Sequence, residues 1–155
     1  MFSISVKTPS IKMPTLLTRQ IMLGAGVFVV NNYKERLNRG MGIDESGNLV
    51  KLKPLSPATI KDKGSNIPLI DTKNMVGAFR VDTGLATEKK VIFNFPPSES
   101  WKASIHQKGV KTAKVNIPAR PHVGISGKDL KDATKWIELK TGKKLKEGIK
   151  IGKAE

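Results

Sequence analysis

Cysteine is absent from the 155 residues, which excludes disulfides and thiolate metal sites and suits a protein that matures in a reducing cytoplasm. Histidine is scarce as well. His106 and His122 are the only two, and without cysteine they cannot form a structural zinc site unless carboxylates or another subunit contribute. Aromatic residues make up 5% of the chain, too few for the row of stacking rings that a single-strand nucleic-acid binder needs, so Trp101 and Trp136 read as core or interface anchors. No apolar run approaches the roughly 20 residues of a membrane span, the longest being Ile21 to Val30. Phe2 to Val6 is too short and polar for a signal-peptide core, so the chain is expected to be soluble and to have no membrane partner.

Phosphate cradles are missing too. Gly24-Ala25-Gly26 lacks the later glycine of a dinucleotide fingerprint, and no Gly-Lys-Ser/Thr follows a strand, so no nucleotide cofactor is expected. The nearest catalytic signal, Phe79-Arg80-Val81-Asp82-Thr83-Gly84-Leu85-Ala86-Thr87, is similar to the active-site turn of a retroviral-type aspartic protease, with Pro68-Leu69-Ile70-Asp71-Thr72 as a degraded echo. That chemistry needs two aspartates side by side, one of them protonated. Arg80 stands where an apolar strand residue is wanted, and Asp82-Thr83-Gly84 reads equally well as a hairpin turn in which Asp hydrogen-bonds locally and Gly takes positive φ. No catalytic, cofactor-binding or metal-binding residue is assigned. His106 is expected to be a hydrogen-bonded structural histidine.

Acidic residues are outnumbered: 13 Asp plus Glu face 28 Lys plus Arg, a net charge of +15. The balance requires that nucleic-acid binding be weighed. From Lys128 to Glu155 there are nine lysines and no arginine, interspersed with Asp129, Asp132, Glu138, Glu147 and Glu155. Lysine without arginine disfavours base readout, which uses the guanidinium fork, and leaves a solvated tail, an acidic partner or non-specific phosphate contact. Lys143, Lys144, Lys146, Lys150 and Lys153 are the candidate basic surface.

At 155 residues the chain amounts to one domain with a real core. Residues 1–14 have no helical period and read as an extended arm. Thr15 is a plausible cap for a helix from Leu16 to Arg39, closed by Arg36, Arg39 and Gly40. Its middle is apolar on all sides and must be buried on more than one face, with another backbone close to Gly24 and Gly26, unless the run is a buried strand. Met41 to Gly64 reads as a long loop holding a short helix at Ser56-Pro57-Ala58-Thr59-Ile60, a candidate for reaching a neighbouring subunit. Asn74 to Ala78 is a helical turn capped by Asp71, and Phe79 to Val81 and Val91 to Phe95 are strands of a loose hairpin. Trp101 to Gln107 fits helix or strand, and Val115 to Ile117 is extended. Ser126 caps a last helix whose Leu130, Ala133 and Ile137 form a stripe ending near Gly142. The expected class is α+β: a small, largely antiparallel sheet packed with a long N-terminal helix and a C-terminal helix, in a single domain over 15–142. A basic, flexible tail is expected over 143–155.

The most constrained segment is Asn116-Ile117-Pro118-Ala119-Arg120-Pro121-His122-Val123-Gly124-Ile125-Ser126. Pro118 and Pro121 fix their own φ and push Ile117 and Arg120 into extended conformations, making a stiff ribbon that belongs at an edge or an interface. Two further segments precede it: Lys53-Pro54-Leu55-Ser56-Pro57-Ala58-Thr59-Ile60-Lys61-Asp62-Lys63-Gly64 leading to Pro68-Leu69-Ile70-Asp71-Thr72, and Ile105-His106-Gln107-Lys108-Gly109.

In this order the three resemble the tailed-bacteriophage virion morphogenesis family, whose members are tail-completion proteins of the neck. The resemblance covers about Leu52 to Leu130. Lys73 stands where the family usually has Gly, and His122 where it usually has Phe, which removes an aromatic anchor. The family begins with a helix, in keeping with the reading of Leu16 to Arg39.

What the resemblance implies is a structural virion protein acting at the neck by surface complementarity in head-tail joining, found in the virion and in the host cytoplasm during assembly. Its partners would be other neck and tail proteins (connector, tail terminator or tube) and copies of itself in a homo-oligomeric ring, with non-specific DNA contact as a further possibility. The alternatives are a basic nucleic-acid-binding module or a tail-terminator-like ring protein. Candidate interface residues are Arg120, Pro118, Pro121, His122, Gly24, Gly26 and Phe28. Arg120 is expected to fork onto a carboxylate, either Asp71 or Asp82 within the fold or one on an adjacent subunit, with the second as the working expectation.

Overall fold

The computed structural model describes residues 10–12, 18–69, 74–142 and 150–152, the first and last of these segments by their backbone. The chain runs β1 (Ser10–Lys12), α1 (Arg19–Asn38), β2 (Met41–Ile43), β3 (Leu49–Lys51), α2 (Pro57–Lys63), α3 (Asn74–Ala78) and β4 (Arg80–Val81). It continues through β5 (Lys90–Asn94), α4 (Pro97–Lys108), β6 (Val110–Lys111), β7 (Asn116–Ile117), α5 (Gly127–Thr141) and β8 (Lys150–Gly152). The class is α+β, with small antiparallel sheets and long helices near both ends.

Helix α1 organises everything else. Thr18 is its cap, accepting from the Ile21 amide, and a left-handed Gly40 follows its end. Thr15, the predicted cap, lies outside the described residues. The apolar middle is helix and not strand, and two different partners cover it. A Cβ at Gly24 would overlap the indole of Trp136 on α5, and one at Gly26 would lie 2.8 Å from Val81 on β4 and 2.9 Å from Val91 on β5. The close approach predicted at both glycines is therefore made by side chains rather than by another backbone. Between these partners α1 buries Met22, Ala25, Val29, Tyr33 and Leu37 completely, against Phe79, Phe93 and Ile137. Tyr33, Phe79, Phe93 and Phe95 form an aromatic cluster, with Tyr33 and Phe79 centroids 4.2 Å apart. Each of these rings removes a large apolar surface from water, so the few aromatics are concentrated where they stabilise most.

The main sheet has the strand order β4-β5-β1-β8, all antiparallel. Strand β1 lies at its centre, with Ile11 opposite Val91 on one side and Ile151 on the other. The predicted N-terminal arm and the predicted flexible tail thus each supply a strand, and they pair with each other. A three-residue strand is too short to announce itself by alternation, and its backbone partners are remote in sequence, β5 and β8 for β1 and β1 for β8.

A second correction concerns 41–64, predicted as loop around one short helix. Strands β2 and β3 form a hairpin there, turned by Asp44, whose Oδ1 accepts from the amides of Ser46 and Asn48 at 2.9 Å each, with Gly47 left-handed. The Gly, Asp, Ser and Asn content reflected a turn between strands. Helix α2 follows as expected, with Ser56 as cap, Pro57 in the first turn and Gly64 left-handed at its end. The Trp101 to Gln107 segment is helical, part of α4. Ser126 and Asp129 make a reciprocal capping box at the start of α5, which ends at a left-handed Gly142.

Candidate functional site

The ribbon after β7 lies between the β2-β3 hairpin, α4 and α1. Its backbone is held at three places: the Arg120 amide donates to the His106 carbonyl (2.7 Å), the Ile43 amide donates to the Pro121 carbonyl (3.1 Å), and Gln107 Oε1 accepts from the amides of His122 (2.8 Å) and Val123 (3.0 Å). Gly42 is required at the second place, because a Cβ there would run into the Pro121 carbonyl oxygen.

Arg120 is buried, and its guanidinium faces inward. Nε donates to the Lys53 carbonyl (2.8 Å) and Nη2 to the Pro54 carbonyl (2.9 Å), both in the segment leading into α2. Within the described residues the partners of Arg120 are two main-chain oxygens and not the carboxylate of Asp82. The physical reason is local. Pro57 occupies the first turn of α2 and Pro54 precedes it, so this extended stretch has carbonyls that no helix or sheet claims. Asp82 is committed elsewhere, its Oδ1 accepting from the Gly84 and Leu85 amides and its Oδ2 from Asn94 Nδ2 (2.6 Å), while Asp71 lies outside the described residues. Those bonds make Asp82-Thr83-Gly84 a hairpin turn, one that forms without a left-handed Gly84.

His122 does not leave a pocket empty. It is fully buried, with ring centroids 6.0 Å from Tyr33 and 6.2 Å from Phe95. Its Nε2 lies 3.1 Å from the Ala103 carbonyl, which can only accept, so Nε2 carries the hydrogen and Nδ1 accepts from the Tyr33 hydroxyl at 2.8 Å. This is a neutral imidazole with both nitrogens satisfied. Burial pushes its pKa down to about 4, and the charges of His106 and Arg36 act in the same direction. Burial likewise raises the Tyr33 phenol well above its ordinary value, against the charge of Arg36.

The hydrogen-bonded structural histidine is thus His122 and not His106, whose Nδ1 is buried without a partner. Burial, then the charges of Arg120 and Lys63, lower the His106 pKa.

A buried ion pair closes the other end of the ribbon. Arg36 Nη1 meets Asp129 Oδ2 at 3.1 Å, and Arg36 Nη2 donates to the Gly124 carbonyl (3.3 Å). The same Asp129 oxygen accepts from the Ser126 amide (2.8 Å), so one carboxylate both caps α5 and anchors it to α1.

The remaining predicted residues divide between core, half-buried positions and regions without a described side chain. Gly24 and Gly26 are covered within the chain, and Phe28 is half-buried against Trp136, their centroids 5.7 Å apart. Pro118 and Pro121 are half-buried in the ribbon. Lys150 is in β8, and Lys143, Lys144, Lys146 and Lys153 lie outside the described residues, as does Lys73. Residues that sequence reasoning missed are Tyr33, Arg36 and Gln107, together with the Lys53 and Pro54 carbonyls. Tyr33 and Arg36 sit one helical turn apart on α1, and a paired tyrosine and arginine on an otherwise apolar face was the available signal. The carbonyls left no trace, since main-chain acceptors have no residue type.

Among the described residues no group of three His, Asp or Glu side chains could hold a metal ion, and no helix is long and apolar enough to cross a membrane. Comparison of the chain with protein-family models, curated proteins and solved structures gives no match.

Proposed function

We propose that this chain is a structural virion protein of a tailed phage that completes the tail at the neck and makes heads and tails competent to join. The observation that carries the reading is convergence. Lys53 and Pro54 precede Arg120 by 67 and 66 residues, yet the guanidinium ties their segment to the ribbon, while the Arg120, His122 and Val123 amides tie the ribbon to His106 and Gln107 across the short β6-β7 hairpin. Motifs that pack into one rigid block are what a shared fold would produce. Arg120, Gln107 and His122 are occupied with holding shape, which suits a part that works by presenting a fixed surface.

Assembly as a ring belongs to the same proposal. The apolar run of α1 is covered within the chain and much of 41–64 is folded, so neither calls for a neighbouring subunit. The ring's support is the family resemblance, whose members act at the neck; the exposed Leu139, Leu85, Val27 and Trp101 are the side chains a subunit contact would cover. Antibody labelling of intact virions tests the placement. Label at the head-tail junction, in several copies per particle, is the expected result; label on the capsid shell or the tail fibres, or a single copy, contradicts it.

A further inference from the structure

From Ser100 to Lys128 the sequence contains no Asp or Glu, yet it carries Lys102, Lys108, Lys111, Lys114, Arg120 and Lys128. The middle of this stretch is the β6-β7 hairpin, and the fold presents it as a projection. All residues from Lys111 to Asn116 are exposed. Its tip is fixed: the Thr112 amide donates to the Val115 carbonyl (2.7 Å), and Thr112 Oγ1 accepts from the amides of Lys114 (3.3 Å) and Val115 (3.0 Å). Its base is fixed too, since Gly109 is left-handed and a Cβ there would lie 2.6 Å from the Ala119 amide nitrogen and 2.8 Å from the Ile117 carbonyl oxygen. The hairpin is therefore pressed onto the same ribbon that Arg120 anchors.

The two ends of this stretch are compensated by carboxylates that flank it, Lys102 by Glu99 and Lys128 by Asp132. Between them, Lys108, Lys111 and Lys114 are in no ion pair among the described residues. Positive charge on a pre-ordered ribbon, left uncompensated, attracts a polyanion at little ordering cost. The choice of polyanion follows from what accompanies the lysines. Exposed neighbours are Thr112, Ala113, Val115 and Asn116, with no aromatic or arginine to anchor a protein interface and no ring to stack on an unpaired base. Lysine alone, on a narrow two-stranded ribbon, suits the phosphate backbone of a duplex.

We propose that the hairpin formed by Val110–Lys111 and Asn116–Ile117, with Lys108, Lys111 and Lys114, is a sequence-independent contact for the phosphate backbone of double-stranded DNA. This site is distinct from the predicted basic tail, and it does not depend on the neck assignment.

The test is fluorescence anisotropy with a labelled mixed-sequence duplex over about 50 to 200 mM salt. Three triple variants of the full chain are compared with the parent: Lys108→Gln/Lys111→Gln/Lys114→Gln, the arginine equivalents at the same positions, and Lys89→Gln/Lys131→Gln/Lys135→Gln. The first and third lose the same charge, and all substituted residues are surface lysines, so circular dichroism should show the parental fold throughout. If each hairpin lysine neutralises one phosphate, the slope of log affinity against log salt becomes shallower by about 0.9 per lysine, or roughly 2.7 in all, in the hairpin glutamine variant. The arginine variant and the distant triple should keep the parental slope. Equal losses from both glutamine triples would reduce the effect to net charge and overturn the proposal, as would an unchanged hairpin variant. Tight binding of poly-glutamate by the parent, with no measurable binding of the duplex, would overturn it in favour of an acidic protein partner.

Discussion

Lowering the pH should unlock the ribbon through His122. The folded imidazole is neutral, with its pKa at about 4, whereas in the unfolded chain it titrates near 6.5. The unfolded state therefore takes up the proton first as pH falls, and stability that is fully present above about pH 6.5 is lost progressively down to about pH 4. The two values imply a loss of roughly 2 kcal/mol by about pH 5 and roughly 3 kcal/mol across the whole window. That is a large part of the 5 to 15 kcal/mol that holds a typical domain together. His106, also lowered, adds in the same direction. Asp44 and Asp132, whose pKa values lie below the usual carboxylate range through hydrogen bonds from Asn48 and Lys128 respectively, lose their contributions at still lower pH and leave the His window clear.

Urea unfolding at constant ionic strength between pH 7.5 and 4.5 reads the effect as a falling midpoint. His122→Phe supplies the internal control, because phenylalanine has no proton to gain and should remove most of the slope. It also leaves the buried Tyr33 hydroxyl unpaired, costing about 1 to 3 kcal/mol at neutral pH, and Tyr33→Phe added to it should recover much of that loss. A parent protein whose stability is flat over the window, or a His122→Phe protein that keeps the parental slope, would refute the reasoning.

Arg120→Lys replaces a fork with a point charge and strands a main-chain carbonyl, so the isolated protein should melt lower by the equivalent of about 1 to 3 kcal/mol, measured by calorimetry. Asp129→Ala removes both the cap of α5 and the partner of the buried Arg36, and chemical denaturation should show a loss of about 3 to 5 kcal/mol. Two glycine substitutions should differ in size. Gly42→Ala pushes against the Pro121 backbone and should cost about 2 to 3 kcal/mol, whereas Gly24→Ala pushes against the half-buried indole of Trp136, which can shift, and should cost about 1 kcal/mol.

Legibility in the sequence followed the range of the forces involved. The caps of α2 and α5 were readable because Ser56 with Pro57, and Ser126 with Asp129, act within one turn of themselves. The apolar girth of Ile21 to Val30 correctly demanded two covering surfaces, and the glycines marked where they approach. The pairing of 10–12 with 150–152 was hidden, since β8 rests on a strand at the opposite end of the chain and β1 on that strand and on β5. Arg120 stood out between its two prolines, but its partners among the described residues are carbonyls, and proline rigidity alone cannot say whether a side chain points inward or toward a neighbour. His122 was legible only as a departure from an aromatic position. The hydroxyl that makes a histidine acceptable there belongs to Tyr33, on a different element.

The most direct measurement of the central claim is complementation in vitro, with purified protein added to separately prepared heads and tails that lack it and joined particles counted by electron microscopy. Joined, infectious particles are expected only when the protein is present. Efficient joining without it, or no joining when folded protein is supplied in excess, would contradict the assignment to tail completion.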